Sequence, residues 1–287
     1  RADLIQRVGR YPAPPGVPAD IPGLEYAGEV CEVGRSVTDL RVGDRVYGLV
    51  GGGSYAEYLT VHAGTCAILP SAFSFVEAAT IPEAYLTAYD AIVLQAGLAR
   101  DQWLLVHAVG SGVGIAALRI ANAMGARVVG TARTQSKLER ARELGLSHAI
   151  CVQGATFSQA VLDATGGEGV HVVLDLVGGA YVGESLRALA KLGHIAVVGL
   201  LAGAKTDLDL GMLLRSRAHV FGTVMRARSE SEKIALGEVL RTEIHELALS
   251  RAAMPMVDRV FPLANANEAH TYVEKNENFG KVVLEVP

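Results

Sequence analysis

The stretch Trp103-Leu104-Leu105-Val106-His107-Ala108-Val109-Gly110-Ser111-Gly112-Val113-Gly114-Ile115 decides how this chain folds. Its first five residues are an apolar run of strand length, its middle is a string of small residues, and Ile115 to Met124 continues with a helical pattern. A strand that turns on small residues straight into a helix, with another apolar run at Arg127–Thr131, opens a βαβ unit. Runs of the same kind recur at His148–Val152, His171–Leu176, His194–Val198 and His219–Val224, separated for the most part by stretches rich in Ala, Leu, Glu, Lys and Arg. Strands too apolar to keep one face wet predict a parallel sheet covered on both sides. Six of them predict a doubly wound α/β domain.

Outward from this centre the texture changes. Residues 1 to about 85 read as short segments, Gly28–Val33, Arg45–Val50 and Tyr55–Val61, punctuated by Pro12-Ala13-Pro14-Pro15-Gly16 and Gly51-Gly52-Gly53. This is the pattern of a β-rich unit with tight turns. Beyond Ser229 a helical stretch runs to about Ser250, and Gly280–Val286 is again a strand, expected to return to the first unit. The predicted organisation is a β-rich domain, 1–87 and 227–287, interrupted by an α/β domain, 88–226.

Composition narrows the function. The 287 residues are 50% hydrophobic and 20% charged, so disorder is excluded, and 26 Lys+Arg against 30 Asp+Glu leave a net charge of −4 with no long run of either sign. Nothing marks a nucleic-acid or membrane surface, and no stretch reads as a spanning helix or a signal peptide. Cys31, Cys66 and Cys151 lie far apart and fit neither a disulfide framework nor a clustered zinc site. A soluble cytoplasmic protein is expected. The chain opens at Arg1 rather than Met, in what reads as the middle of an element, so further residues are expected before it.

Small residues at a strand-to-helix turn let a pyrophosphate approach the backbone, with its charge at the positive end of the helix. Ala108, Ser111, Gly112, Val113 and Gly114 are therefore candidate dinucleotide-binding residues. The second strand then identifies the dinucleotide. An NAD site usually ends that strand in a carboxylate for the ribose hydroxyls, whereas here it ends Thr131-Ala132-Arg133-Thr134-Gln135-Ser136-Lys137. A carboxylate about 4 Å from a phosphate charge would cost roughly 4 kcal/mol per charge at an effective dielectric near 20, so its absence matters. Thr131 closes the strand, and Arg133, Ser136 and Lys137 offer donors to a 2′-phosphate, which favours NADPH. Taken singly, Arg133 and Lys137 read equally well as solvated charges.

The segments Arg1-Ala2-Asp3-Leu4, Tyr11-Pro12, Pro22-Gly23-Leu24-Glu25-Tyr26-Ala27-Gly28, Val42-Gly43-Asp44-Arg45-Val46, Gly52-Gly53-Ser54-Tyr55-Ala56-Glu57-Tyr58, Ile81-Pro82-Glu83-Ala84-Tyr85-Leu86-Thr87-Ala88-Tyr89 and Gly280-Lys281-Val282-Val283-Leu284 carry a resemblance. Together with the Ser-Gly-Val-Gly turn they resemble the zinc-independent quinone oxidoreductases of the medium-chain dehydrogenase/reductase superfamily. The pattern is zeta-crystallin-like and nearest to the tumour-suppressor-inducible branch. The resemblance spans the chain and implies a Rossmann domain inserted in a GroES-like domain, with the family's first strands lying before Arg1. It puts the histidine ligand of zinc-containing relatives at Leu24, a later cysteine ligand near Glu83 and the first cysteine before Arg1. The four-cysteine loop expected after Val50 is missing. No metal is expected.

The resemblance also places Thr87 against the nicotinamide and Lys281 near the cofactor. Tyr11, before a proline-rich turn, is read as an aromatic at the cleft edge, stacking on a quinone or bonding the nicotinamide ribose, with a surface aromatic as the bland alternative. Thr87 reads equally as a helix residue bonding its own backbone. Val177-Gly178 and Gly199-Leu200 end the fourth and fifth strands, where strand ends face a cofactor crevice. Glu25 and Glu83 lack an identified basic partner and are read as structural. Arg226 and Arg228 reach phosphate, reach a dimer partner or are solvated. Val152 stands where relatives often carry a Tyr over the adenine. The expectation is an NADPH-dependent oxidoreductase passing hydride to a quinone, acting as a homodimer. Enone or enoyl reduction, and non-catalytic NADPH binding, are the alternatives.

Overall fold

The computed structural model describes residues 1–250 and 254–286. Backbone contacts divide them into two units, Arg1–Leu86 with Val224–Pro287, and Thr87–Thr223. Residues 251–253 and 287 of the expected 227–287 segment lie outside the described residues. By this division Val224 to Arg226 fall in the first unit and Thr87 in the second.

In the first unit a short helix, α1 (Ala2–Gln6), precedes a three-stranded antiparallel sheet of β1 (Glu25–Glu29), β2 (Arg45–Leu49) and β3 (Cys66–Ile68), in that spatial order. The first strand thus begins three residues before the Gly28 expected from the pattern. The expected strand at Tyr55–Val61 is not one. Its entry is tied instead to the Pro22–Gly23 turn by Tyr55 N–H donating to Pro22 O (3.1 Å) and Ser54 N–H to Gly23 O (3.4 Å), and Tyr58 points into solvent. Two helices follow, α2 (Phe75–Ala78), opened by a Ser74/Glu77 capping box, and α3 (Pro82–Tyr89), which carries the chain out of this unit into a π-helical segment, Asp90–Gln95.

The second unit is a six-stranded parallel sheet. In chain order its strands are β4 (Trp103–Val106), β5 (Arg127–Ala132), β6 (His148–Cys151), β7 (Val170–Asp175), β8 (Leu189–Val197) and β9 (His219–Gly222). Their spatial order is β6-β5-β4-β7-β8-β9, the two-halved order of a dinucleotide-binding sheet, with the reversal beside β4. The covering helices are α4 (Gly112–Met124), α5 (Gln135–Glu143), α6 (Ser158–Ala164), α7 (Ala180–Arg187) and α8 (Leu210–Ser216). Leu104, Leu105 and Val106 are fully buried, as are Val129, Val173 and Ile195 on neighbouring strands. At about 1.5–3 kcal/mol for each such side chain, this layer stabilises strands β4, β5, β7 and β8 against one another. The helix α4 starts on Ser111, whose Oγ accepts the Gly114 N–H, and stops at Gly125 in the left-handed conformation.

The chain then returns to the first unit as α9 (Glu230–Val239), a π-helical turn (Leu240–Ile244) and α10 (His245–Leu249), so the single helix expected from Ser229 to Ser250 is interrupted by one wide turn. Arg241 Nη1 donates to Gly64 O (2.9 Å) and Cys66 O (2.8 Å), tying this helix to the β3 edge. The strand β10 (Val257–Pro262), α11 (Ala266–Glu274) and β11 (Lys281–Glu285) form a βαβ element whose two parallel strands make a sheet of their own, separate from β1-β2-β3. Among the described residues no helix is long and apolar enough to cross a membrane.

Candidate active site

In the second unit, β4 delivers His107 into full burial. One ring nitrogen lies 2.9 Å from Thr131 Oγ1 and the other 2.9 Å from Ser185 Oγ, while Phe157 and Tyr181 pack on the ring. Burial pushes the imidazole pKa down to about 3, so it is neutral at any working pH. The hydroxyl of Thr131, the candidate cofactor residue that closes β5, is buried and engaged by His107. Ala108 then takes a positive φ of 50°, unusual for a residue with a Cβ, and turns the chain so that Ser111, Gly112, Val113 and Gly114 open α4. A Cβ on Gly114 would lie 2.7 Å from Ala108 O, so only glycine lets the helix seat this closely on the turn. The result is a 13-residue helix with partly open N-terminal backbone at Ser111, Gly112 and Val113, the geometry that receives a phosphate.

The end of β5 places three of the candidate residues together. Arg133 and Ser136 are exposed and Lys137 is half-buried, around the N-terminus of α5. That terminus has no side-chain cap and no acidic residue in its first turn. At the end of β7, Asp175 Oδ1 accepts the N–H groups of Val177 and Gly178, both at 2.8 Å. Gly178, at a φ of 69°, packs against Gly199, where an added Cβ would meet Gly199 O at 3.0 Å and Gly203 O at 2.9 Å. Gly199 itself leaves only 2.4 Å to Leu176 O. These glycines are required by two strand ends approaching each other, and beside them Gly178 and the exposed Leu200 help to line an apolar cavity of about 190 Å³. Two buried oxygens of this unit, Thr87 Oγ1 and Asp175 Oδ2, have no hydrogen-bond partner among the described residues. An open helix N-terminus, a basic strand end and orphaned polar atoms fit a nicotinamide dinucleotide.

In the first unit two clusters were not legible in the sequence. Lys281 is ion-paired with Glu25 and, at 3.2 Å, with Glu83, whose backbone N–H also donates to Glu25 Oε2 (2.9 Å). Burial opposes the ammonium, but the two carboxylates outweigh it and hold its pKa above the usual lysine range. Burial, reinforced by Glu83, raises that of Glu25 against the pull of Lys281. Lys281, expected near the cofactor, is thus engaged by two carboxylates, and Glu25 and Glu83 have the basic partner that the sequence did not identify. The second cluster is Arg226, only 3% exposed. It donates to Gly51 O, Tyr11 O and Gln6 Oε1, and its guanidinium stands 4.8 Å from the centre of the half-buried Tyr11 ring. Nothing in the loop-like texture around Arg226 marks it for burial. Asp175 did carry a signal, an apolar strand ending in Asp three residues before a Gly-Gly pair.

Comparison with known proteins agrees with this geometry. A family model described as alcohol dehydrogenase GroES-like domain matches residues 1–71, and one described as zinc-binding dehydrogenase matches 112–241. The quinone oxidoreductase-like protein 2 homolog of Nematostella vectensis is 32% identical over 285 residues, covering 99% of this chain and 78% of that one. The chain belongs to the quinone oxidoreductase-like medium-chain dehydrogenase/reductases. Among solved structures, Escherichia coli quinone oxidoreductase complexed with NADPH aligns with a TM-score of 0.86 at 30% identity, over 98% of this chain and 86% of that one. CurK enoyl reductase aligns at 0.85 and 28%, over 99% and 87%. This member of the superfamily is an oxidoreductase, and its family and an NADPH-complexed neighbour point to a nicotinamide cofactor. The zinc of other members does not fit it. Leu24 is buried where the resemblance puts a histidine ligand, the Glu83 carboxylate is engaged by Lys281, and among the described residues no three His, Cys, Asp or Glu side chains converge.

Proposed function

We propose that this chain is a zinc-independent, NADPH-dependent oxidoreductase that reduces quinones. The carrying observation is the end of β5, where exposed Arg133 and Ser136 flank an uncapped helix N-terminus with no carboxylate. A 2′-phosphate there gains charge-assisted hydrogen bonds and meets no repulsion. The quinone assignment rests on the similarity to quinone oxidoreductases and on Tyr11, an aromatic ring in a segment with little acidic character.

When bound, the cofactor supplies the hydride. The chain's own residues do the rest. Backbone groups at Ser111–Gly114 receive the pyrophosphate, His107 keeps that turn rigid by spanning Thr131 and Ser185, and the Asp175-bonded Val177–Gly178 turn with Gly199 keeps the strand ends free of side chains. Thr87 Oγ1 is available for a hydrogen bond to the nicotinamide. The oxyanions of a reduced quinone take protons from solvent, so no dedicated acid is needed. A second reading, reduction of an activated alkene, is supported by the likeness to CurK enoyl reductase and by the Glu25–Glu83–Lys281 cluster, in which two carboxylates face one ammonium and a proton can reside. Turnover of ortho- and para-quinones, an enone and an enoyl thioester with NADPH and with NADH separates these. Quinone reduction with NADPH supports the proposal. An enzyme that reduces enones efficiently and no quinone rejects the acceptor, and indifference to the 2′-phosphate rejects the cofactor. In the same panel Tyr11→Ala is expected to raise quinone KM several-fold, since aromatic stacking contributes about 0.5–1.5 kcal/mol.

A further inference from the structure

Arg226 is a cation buried without an anion. Its three nitrogens donate to neutral oxygens only, Gly51 O at 2.7 Å, Tyr11 O at 2.7 Å and Gln6 Oε1 at 2.8 Å, and among the described residues no carboxylate pairs with it. Burying an unpaired charge is costly, and a neutral side chain would tie the same loops together at lower cost. What a neutral side chain would not supply is a positive charge over an aromatic face, and the Tyr11 ring lies under the guanidinium at 4.8 Å. The backbone of the triglycine turn runs against the same group: a Cβ on Gly52 would come within 3.2 Å of Arg226 Nη2. The Tyr11 segment and the Gly51–Gly53 turn are thereby held at one distance by one side chain.

We propose that Arg226 is a positioning residue for Tyr11, locking it to the Gly51–Gly53 turn and occupying one face of its ring, so that a flat acceptor is offered only the other face. This rests on the reading that Tyr11 meets the acceptor. Among the described residues the charges acting on the phenol are those of Arg226, over its ring, and Glu83. Burial raises the phenol pKa, Arg226 opposes that rise and Glu83 adds to it.

The test combines kinetics with a titration that needs no turnover. Arg226→Gln is expected to raise quinone KM about tenfold, as the loss of a desolvated cation over a ring would do, with kcat and NADPH affinity within about twofold of the parent. In a Tyr11→Leu background the same substitution adds less than about twofold, because the ring it acts through is gone. The Tyr11 phenol, isolated as an ultraviolet difference against Tyr11→Phe, ionises at higher pH in Arg226→Gln and at the parental pH in Arg226→Lys, which keeps the charge. Should Arg226→Gln fail to fold, Arg226→Lys carries the test. A several-fold rise in quinone KM supports the proposal, because lysine cannot reproduce the fork, and an unchanged KM overturns it. Equal effects of Arg226→Gln with and without Tyr11, or a phenol midpoint that ignores the charge, likewise overturn it. If no quinone or enone is reduced by the parent, the proposed function falls while the titration still decides whether Arg226 acts on Tyr11.

Discussion

Replacing Lys281 by Met tests the account of the first unit most severely. The ammonium bridges Glu25 and Glu83, with side-chain exposures of 21% for the lysine and 14% and 24% for the carboxylates, so its removal leaves two carboxylates facing each other with little water. Breaking a buried ion pair by deleting one partner costs about 3–5 kcal/mol. For a chain of this size that is a fall in Tm on the order of 10 °C. The pH dependence has a definite sign. Glu25 already has its pKa raised by burial, and loss of Lys281 removes the one influence that lowers it through a full opposite charge. A carboxyl whose folded pKa lies above its unfolded value favours the fold when protonated, and that contribution is lost as pH rises from the unfolded carboxylate range through the raised folded value. Lys281→Met should therefore lose most stability at pH 8 and distinctly less at pH 5. Urea unfolding followed by circular dichroism at the two pH values measures it. Adding Glu25→Gln to Lys281→Met should recover part of the loss by removing one orphaned charge. A loss under about 1 kcal/mol at pH 8, or the same loss at both pH values, refutes the assignment of this cluster as a buried, mutually dependent ion group.

Arg133→Ala should weaken NADPH binding about tenfold to a hundredfold, the worth of a charge-assisted hydrogen bond of roughly 1.5–3 kcal/mol, and spare NADH. Calorimetric titration with both cofactors checks this, and equal losses would assign Arg133 to the fold. The buried neutral His107, with a pKa depressed to about 3, must be charged to match the unfolded chain in acid, so stability should fall by up to about 1.4 kcal/mol per pH unit below pH 6.5 and flatten near pH 3. That slope should shrink in His107→Asn. Among the described residues the edge strand β9 has a strand partner on one side only, and closing the other with a two-fold copy predicts a homodimer, which light scattering at micromolar concentration would contradict by giving a monomer mass. Metal analysis of protein purified without metal-affinity tags should find no stoichiometric zinc, and activity lost to a chelator and restored by Zn²⁺ would overturn that expectation.

Much of the second unit was legible because its signals are local. Strands β4 to β9 fall within a few residues of the apolar runs, the chief departure being β8, which begins at Leu189 rather than His194. The part from Leu189 to Gly193 carries Lys191 and two turn-like residues, Leu192 at positive φ and Gly193, so its pattern reads as helix end and loop. In the first unit the strand at Tyr55–Val61 failed for the opposite reason. Alternation was present, but the entry of the segment is held by the Pro22–Gly23 turn, through Tyr55 N–H and the preceding Ser54 N–H, rather than by a strand partner. The β10-α11-β11 element was missed at its first strand, where the exposed Arg259 and Val260 leave only half a pattern.

By itself the sequence determined what depends on neighbours along the chain: the strand-turn-helix at Trp103–Met124, the missing carboxylate after β5, the absence of a histidine at Leu24. Each is a matter of which residue types occupy consecutive positions, and steric and electrostatic rules act on them directly. Only the tertiary structure decided the partners. Glu25 and Lys281 are 256 positions apart and Tyr11 and Arg226 are 215 apart, so nothing local distinguishes them from solvated charges and a loop aromatic. Burial supplied the distinction, because a charge withdrawn from water must find compensation, and the fold alone determines which groups are within reach to give it.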